Sequence, residues 1–332
     1  MKCRKIENVS LAVWQDVVDK SPHATFYHTP AWADILCKTF PRWQNVTFGL
    51  EFEDGNRAIF PLFRRQIIRP LPFYWHESSV IGTYGGPVFE ITPSQEQYNE
   101  VVADLIREKT NISVVSNPFV ETILPTNVRH LQLFVQTLGL EYGFSETWKG
   151  YSNGRQRAIR KALREGVCVR QVEFLDYYQT YYEIYLSQLK RWGKNASGNY
   201  PMELFHNLAR LSNANPSVKY FGAFLKNKMI GGLIVFYHNK YVTLGFVATM
   251  PEFLNYHPED VLLSDVVEKG CVDGFQNVDF GTSGGRDGIA KYKEYFGTVK
   301  HPLYYWQQRN ILGFIYRGER FIKNYFGKCP EG

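Results

Sequence analysis

The 332-residue sequence lacks the features that mark exported, membrane-spanning and disulfide-rich proteins. Residues 1–8 mix charged side chains with no apolar segment behind them, which argues against a signal peptide. No uninterrupted apolar stretch reaches the roughly 20 residues that a spanning helix needs. The five cysteines are odd in number, scattered and without a CxxC pair, so they predict neither a disulfide framework nor a zinc site. We therefore expect free thiols in a soluble cytoplasmic protein.

Several common catalytic and nucleotide-binding motifs are also missing. The sequence contains no GxxxxGK[ST] phosphate loop, no GxGxxG fingerprint and no arrangement that suggests a Ser-His-Asp triad. The eight histidines show no metal-ligand spacing. We expect neither a metal nor a tightly bound cofactor.

The composition is that of a folded protein with a mild excess of positive charge. Apolar residues make up 44% and charged residues 21%, a normal globular balance that excludes wholesale disorder. Aromatic residues stand at 16%, and most of them are expected in the core. The net charge of +6 permits an anionic ligand, a membrane surface or RNA without choosing among them.

The same order of predicted elements occurs twice along the chain. The first copy has predicted helices over 11–20 and 30–39, a hairpin of strands 46–52 and 57–63, a strand ending near 84–87, a helix over 93–109, a strand over 112–115, a helix over 128–138 and the segment 143–148. The second copy has predicted helices over 175–189 and 201–211, strands over 218–225, 229–237 and 241–248, a helix over 259–270, a strand over 277–280, a short helix over 288–296 and a strand over 302–307.

An antiparallel meander followed by a helix and a strand predicts an α+β fold. We expect two tandem domains, residues 1–150 and 151–310, each with a mixed, mostly antiparallel sheet flanked by helices. Where two strands of such a sheet splay apart, a cleft for a ligand can open. Residues 311–332 add a helix-like segment that we expect to pack back on the first domain. The alternative is a chance resemblance between two α/β stretches.

A basic helix is predicted over residues 153–166, with Asn153 as its N-cap and Gly166 just beyond its C-terminus. At about 100° per residue, four cations fall on one face, and these are Arg157, Arg160, Lys161 and Arg164. The opposite side carries Ala158, Ile159, Ala162 and Leu163. Four cations on one face repel each other, and the segment contains a single acid, Glu165. We therefore favour a face that binds phosphates or another polyanion over a plain solvated face.

A glycine-rich loop is predicted where a strand meets a short helix near the C-terminal end of the second copy. The loop comprises Gly281, Thr282, Ser283, Gly284 and Gly285, and the helix after it carries Lys291 and Lys293. Glycines permit close approach of the backbone, and free amides at a helix start favour an anion or an oxyanion. The alternative is an ordinary turn.

Taken in order, these motifs resemble the Fem-like branch of the GNAT acyltransferase superfamily. The resemblance in the second copy rests on Arg157–Val167, similar to R-x-x-I-R-K-A-x-x-x-G-V, and on Lys190-Arg191-Trp192-Gly193, Gly231-Gly232, Asp279-Phe280-Gly281 and Tyr292-Lys293-x-x-Phe296-Gly297. In the first copy it rests on Pro30-Ala31-Trp32 and Tyr84-Gly85-Gly86-Pro87. The resemblance covers almost the whole chain.

The resemblance implies two tandem GNAT domains, an acceptor groove and N-acyltransferase activity. It also implies that Lys293 stabilises the developing negative charge or binds the donor's backbone. The glycine-rich loop Gly281–Gly285 is the candidate donor-binding loop. Asp279, at the end of a buried strand, is a candidate general base, with a structural hydrogen-bonding role as the alternative. Trp32 and Trp192 are candidates for stacking on a sugar of the acceptor, but core packing is the favoured interpretation for each.

Two departures from the family bear on the substrates. The [RQ]-x-x-G-x-[GA] cradle for acetyl-CoA is absent, because residues 250–259 read MPEFLNYHPE at that place. The residue before Pro201 is Tyr200, where bridge-forming enzymes tend to have a basic residue. The donor is therefore open between an acyl-CoA, such as acetyl-CoA, and an aminoacyl-tRNA.

The leading hypothesis is an N-acyltransferase that moves an acyl or aminoacyl group onto an amine of a peptidoglycan, exopolysaccharide or other cell-envelope precursor. The expected partners are a phosphate-bearing glycan or amino-sugar precursor, tRNA, and the inner membrane as a peripheral contact. The alternative is a non-catalytic protein that binds RNA or another polyanion on the same fold.

Overall fold

The computed structural model describes residues 3–6, 9–68, 71–108, 111–125, 128–193, 196 and 198–310. The described residues divide into two compact units. One consists of residues up to 135 together with those from 301 onward, and the other is Gln136–Lys300. These limits differ from the expected division at 150 and 310. The expected packing of residues 311–332 lies outside the described residues.

The first unit is an α+β layer structure with two sheets. Its helices are α1 (Leu11–Lys20), α2 (Pro30–Thr39) and α3 (Gln95–Glu108), and its strands are β1 (Cys3–Ile6), β2 (Gln44–Asn45), β3 (Phe48–Phe52), β4 (Arg57–Phe60), β5 (Phe63–Ile68), β6 (Phe73–Glu77), β7 (Val88–Phe89) and β8 (Ile112–Val115). The hairpin predicted around Asp54-Gly55 is confirmed as the β3–β4 pair. The strands β1, β3, β4 and β7 form one sheet.

The core of the first unit is aromatic, as its composition predicted. Phe48 and Phe60 stack with ring centroids 5.6 Å apart across the β3–β4 pair. On the other sheet β8 pairs parallel with β6 and antiparallel with β15 (Val299–Gln308). This mixture of parallel and antiparallel pairs is the expected mixed sheet.

The second unit has a five-stranded run of neighbouring strands with helices packed on it. Its helices are α4 (Gly143–Gly150), α5 (Asn153–Arg164), α6 (Phe174–Trp192), α7 (Met202–Ala214), α8 (Pro258–Val272) and α9 (Asp287–Glu294), and its strands are β10 (Cys168–Gln171), β11 (Val218–Leu225), β12 (Lys228–His238), β13 (Tyr241–Thr249) and β14 (Asn277–Thr282). Strands β10 to β13 pair antiparallel in chain order, and β14 joins β13 parallel. The predicted elements of this copy are confirmed to within a few residues.

Three local predictions in the rest of the chain are wrong. The predicted helix over 128–138 is the strand β9 (Arg129–Gly139), because Leu133 and Val135 are buried while Phe134 between them is exposed, an alternation of period two. Residues 84–87 are irregular, because Gly86 is left-handed with φ +84° and Pro87 has no amide proton to donate. The N-cap of α5 is Ser152, whose side chain accepts from the amide of Arg155.

Candidate functional site

The strands β13 and β14 begin as a parallel pair and then separate. Their pairing runs from Tyr241 opposite Asn277 to Thr243 opposite Asp279. Beyond that position β13 continues to Thr249 and β14 to Thr282 with no further pairing between their described residues. Asp279, fully buried at the last paired position, therefore stands where the strands part.

A bulge in β13 lies close to the point of separation. The register with β12 shifts so that Ile234 is opposite Phe246 and Val235 is opposite Leu244, which leaves Gly245 as the extra residue. A Cβ atom at this glycine would lie 2.4 Å from the ring of Phe236. A bulge bends the strand that carries it, so Gly245 explains why β13 turns away two residues after its last pairing with β14.

Side chains of α6 occupy the edge of β13 beyond its pairing with β14. The amide of Thr249 donates to Oε1 of Gln188 at 2.8 Å, and Nε2 of Gln188 donates to the carbonyl of Val247 at 3.4 Å. The hydroxyl of Tyr181 donates to the carbonyl of Phe246 at 2.9 Å. Tyr181 and Gln188 are seven residues apart on the helix, and their partners Phe246 and Thr249 are three residues apart on the strand. Both separations are about 10 Å, so the two side chains reach matching positions along the strand edge.

The glycine-rich loop after β14 is shaped by its own hydrogen bonds. The amide of Gly281 donates to Oδ1 of Asp279 at 2.7 Å, and the amide of Gly284 donates to Oγ1 of Thr282 at 3.1 Å. Gly281, Gly284 and Gly285 have φ of +68°, +57° and +72°, which favour glycine at each position. Ser283 donates to Oε1 of Gln136 at 3.1 Å. The predicted donor-binding residues form one loop, but the amides of Gly281 and Gly284 already donate to side chains of the same segment.

Lys293 of α9 is buried beneath this loop. Its ammonium donates to the carbonyls of Gly281 and Thr282 at 2.9 and 3.0 Å, and the residue is 8% exposed. Burial lowers the pKa of Lys293 to about 8, while the charges of Asp279 and Glu259 oppose the shift. The structure therefore brings the two predicted catalytic residues, Lys293 and Asp279, to the same loop.

A buried polar cluster next to Lys293 was missed in the sequence. Arg155 of α5 forms an ion pair with Asp260 of α8, and Tyr292 of α9 donates to Asp260 at 2.7 Å. The Arg155 guanidinium lies 4.3 Å from the centroid of the Tyr292 ring. Arg155 shares the buried face of α5 with Ile159 and Ala162. The spacing of these three residues, four and then three, places Arg155 on the apolar face of the helix. This pattern in the sequence could have distinguished Arg155 from the exposed cations.

The start of α8 is acidic. Its first residues are Pro258, Glu259 and Asp260, and proline has no amide proton to offer an anion. Burial, with a contribution from the neighbouring Asp260, raises the pKa of Glu259 to about 7, and the charge of Arg155 opposes the shift. This helix start therefore offers an anion no amide from Pro258 and places the carboxyl of Glu259 beside it, although helix starts commonly bind anions.

The four predicted phosphate-binding cations lie on the other side of α5. Arg157, Arg160 and Arg164 are exposed, and Lys161 donates to the carbonyl of Asn255 at 3.1 Å. They form one exposed surface, as the spacing predicted, but they do not belong to the cluster around Lys293. Leu163, expected on the apolar side, is 54% exposed.

The two predicted tryptophans have different surroundings. Trp32 is 2% exposed and packs against Phe26 and Tyr27 with ring centroids 6.2 and 5.1 Å away. It is a core residue, the interpretation favoured above, and it does not stack on a sugar. Trp192 is partly exposed, and the Arg286 guanidinium of the glycine-rich loop lies 5.7 Å from its ring.

The comparisons with known proteins agree with this architecture. Residues 151–294 match the acetyltransferase (GNAT) domain family. No curated protein sequence matches the chain significantly. Among described residues, no helix is long and apolar enough to cross a membrane.

Solved structures with the same fold extend over almost the whole chain. FemX aligns with a TM-score of 0.70 at 11% identity, over 96% of this chain and 100% of that one. The C-terminal domain of a putative lysylphosphatidylglycerol synthetase from Agrobacterium fabrum aligns with 0.60 at 11% identity, over 96% and 98%. A tandem GNAT protein from the clavulanic acid biosynthesis pathway aligns with 0.50 at 11% identity, over 92% and 98%. At this identity the likeness establishes the tandem GNAT fold.

Proposed function

We propose that this chain is an acyltransferase that acylates an amine of a cell-envelope or exopolysaccharide precursor, because residues 151–294 match the acetyltransferase (GNAT) domain family and the chain shares its fold with FemX. The observation that carries the proposal is the separation of β13 from β14, with Lys293 buried beside the loop at the end of β14. The reacting acyl group would lie in this opening.

The proposed chemistry is attack of a neutral amine on the acyl carbonyl, which forms the C–N bond and a tetrahedral oxyanion. Collapse of the oxyanion breaks the bond between the acyl carbon and the donor's oxygen or sulfur, and the proton lost by the amine leaves with the released hydroxyl or thiol. An ammonium group has three N–H donors, and Lys293 directs two of them to Gly281 and Thr282. The third would donate to the oxyanion. With its pKa lowered to about 8, Lys293 remains mostly protonated at neutral pH, as this role requires.

The donor that fits these residues best is an aminoacyl ester such as aminoacyl-tRNA. A GNAT domain suggests an acyl-CoA, whose pyrophosphate would need amides at a helix start. Here that start carries Glu259 and Asp260. The extended arm of an acyl-CoA, if it paired with β13 as an added strand, would compete with Gln188 for the backbone of Thr249 and Val247. Both observations favour a donor that has neither the pyrophosphate nor the extended arm of an acyl-CoA.

The likeness to FemX and to a lysylphosphatidylglycerol synthetase domain supports an acceptor of the cell envelope. Expected acceptors are phosphate-bearing amino-sugar precursors and their lipid-linked forms. The exposed arginines of α5 favour the second candidate, a non-catalytic polyanion-binding protein, which would bind the same partners without consuming a donor.

The test is a transfer assay with two labelled donors, mixed aminoacyl-tRNA and acetyl-CoA, against nucleotide-linked and lipid-linked amino-sugar precursors. We expect labelled acceptor from the wild type and from Lys291→Ala, the exposed lysine of the same helix. Lys293→Ala should lower turnover by about 100-fold or more, the usual loss when an oxyanion donor is removed.

Two results would overturn parts of this account. Full turnover by a folded Lys293→Ala variant, with an unchanged unfolding midpoint, would remove the lysine from the mechanism. No transfer by the wild type from either donor, combined with tight binding of a precursor, would support the non-catalytic candidate.

A further inference from the structure

The exposed side of α5 combines positive charge with an unprotected apolar side chain. Arg157, Arg160 and Arg164 are exposed, and Leu163, at the flank of this face next to Arg160, is 54% exposed. Burying a leucine side chain is favourable relative to leaving it in water. A lone exposed leucine needs no explanation, but one at the flank of three exposed arginines on a helix is an arrangement typical of surfaces that meet lipid.

The turn between β11 and β12 extends this positive surface. Lys226, Asn227 and Lys228 are all exposed, and they follow Leu225, which is the nearest neighbour of a Cβ placed at Gly166 just past α5. The α5 end and the turn are therefore adjacent in the second unit.

Both lysine-bearing segments are held on one short 3-10 helix, Pro251–Tyr256. Lys161 of α5 donates to the carbonyl of Asn255, and Lys228 of the turn lies 4.9 Å from the centroid of the Phe253 ring. These contacts fix the cations relative to one another. The resulting surface, here named the basic platform, consists of Arg157, Arg160, Lys161, Leu163, Arg164, Lys226 and Lys228.

We infer that the basic platform docks the protein on an anionic lipid bilayer, with Leu163 entering the boundary between headgroups and acyl chains. Cations near a negatively charged membrane attract its surface, and an aliphatic side chain gains by leaving water there. RNA would attract the arginines equally but gives an aliphatic leucine no comparable partner, since single strands are bound through stacking on flat side chains.

The arginines of the platform and Arg155 lie on different faces of α5. The buried face consists of Arg155, Ile159 and Ala162, whereas Arg157, Arg160 and Arg164 are exposed. This inference concerns where the protein works and does not depend on its donor or acceptor.

The test is sedimentation of the full chain with phosphatidylcholine vesicles, with and without phosphatidylglycerol, at low and at high salt. We expect binding only to the anionic vesicles, weakened by salt. The triple variant Arg157→Gln, Arg160→Gln, Arg164→Gln should lose about 100-fold in affinity, at about fivefold for each cation. Leu163→Gln, which keeps every charge, should lose several-fold.

A matched control removes three exposed cations elsewhere in the second unit, Lys190→Gln, Arg191→Gln and Arg210→Gln. It should bind the anionic vesicles nearly as well as the wild type. The inference is overturned if the wild type does not sediment with these vesicles at low salt, or if the triple variant and the control lose affinity equally. It is also overturned if Leu163→Gln binds vesicles normally while an RNA titration shows tight binding that the triple variant loses.

Discussion

Arg155 differs in its surroundings from the other cations of α5. It sits two residues before Arg157, yet it is buried in an ion pair with Asp260 while Arg157 is exposed. The hydroxyl of Tyr292 completes the cluster. The cluster joins α5, α8 and α9, and α9 carries Lys293. We therefore regard Arg155 as a positioning residue for that helix.

The stability of the chain should depend strongly on Arg155. Arg155→Ala leaves Asp260 as a buried charge without its ion-pair partner, and removing one partner of a buried pair typically costs about 3–5 kcal/mol. Arg157→Ala, at an exposed position of the same helix, should change the free energy of unfolding by less than about 0.5 kcal/mol. Urea unfolding of the two variants checks this. Equal stabilities would mean that the ion pair contributes nothing to the fold.

At the scale of elements, the repeated order of helices and strands was predictable, but the length and pairing of single strands were not. The helices α1 and α2 begin and end where their apolar patterns predicted. Strand β9 was mistaken for a helix, because an apolar run with leucines at 131, 133, 138 and 140 satisfies both periods over a short window. Only pairing with other strands decides between them.

The features that shape the candidate site depend on the length and pairing of single strands, which were not predictable. The Gly245 bulge and the end of the β13–β14 pairing depend on long-range register, which local pattern does not encode. The same applies to Gln188, which a sequence presents as one polar residue of an amphipathic helix. The glycine-rich loop and Lys293 were predictable because their signal lies within one short segment.

The start of α8 should give the protein a measurable pH dependence. The pKa of Glu259 is raised from 4.5 to about 7 in the folded state, so between these values the folded protein binds more protons than the unfolded chain. Its contribution to stability is therefore present below pH 4.5 and is lost as the pH rises through 7. In Glu259→Gln this loss should disappear from unfolding curves measured between pH 4.5 and 7.

The control is Glu252→Gln, an exposed glutamate in the preceding turn. It should keep the pH dependence of the wild type. If Glu259→Gln and the wild type show parallel curves, the pKa of Glu259 is not raised in the folded protein, and its carboxyl is fully ionised at neutral pH.

At the scale of the whole molecule, the sequence predicted the tandem GNAT fold because the order of elements repeats and the Fem-like motifs appear in sequence. The described residues form two compact units, and FemX shares their fold over 96% of the chain. The match to a GNAT domain by itself suggests an acyl-CoA as the donor. The acidic start of α8 and the hydrogen bonds of Gln188 to the edge of β13 favour our proposal of an aminoacyl ester instead.

A thermal-shift comparison of the full chain with deacylated tRNA, CoA and acetyl-CoA at one ionic strength distinguishes an aminoacyl-tRNA donor from an acyl-CoA donor. A ligand at 100 times its Kd adds about 2.7 kcal/mol to the stability of the folded state. We predict a clear rise in Tm with tRNA and none with CoA or acetyl-CoA. A rise with acetyl-CoA and none with tRNA would contradict the account and identify a CoA-dependent acetyltransferase.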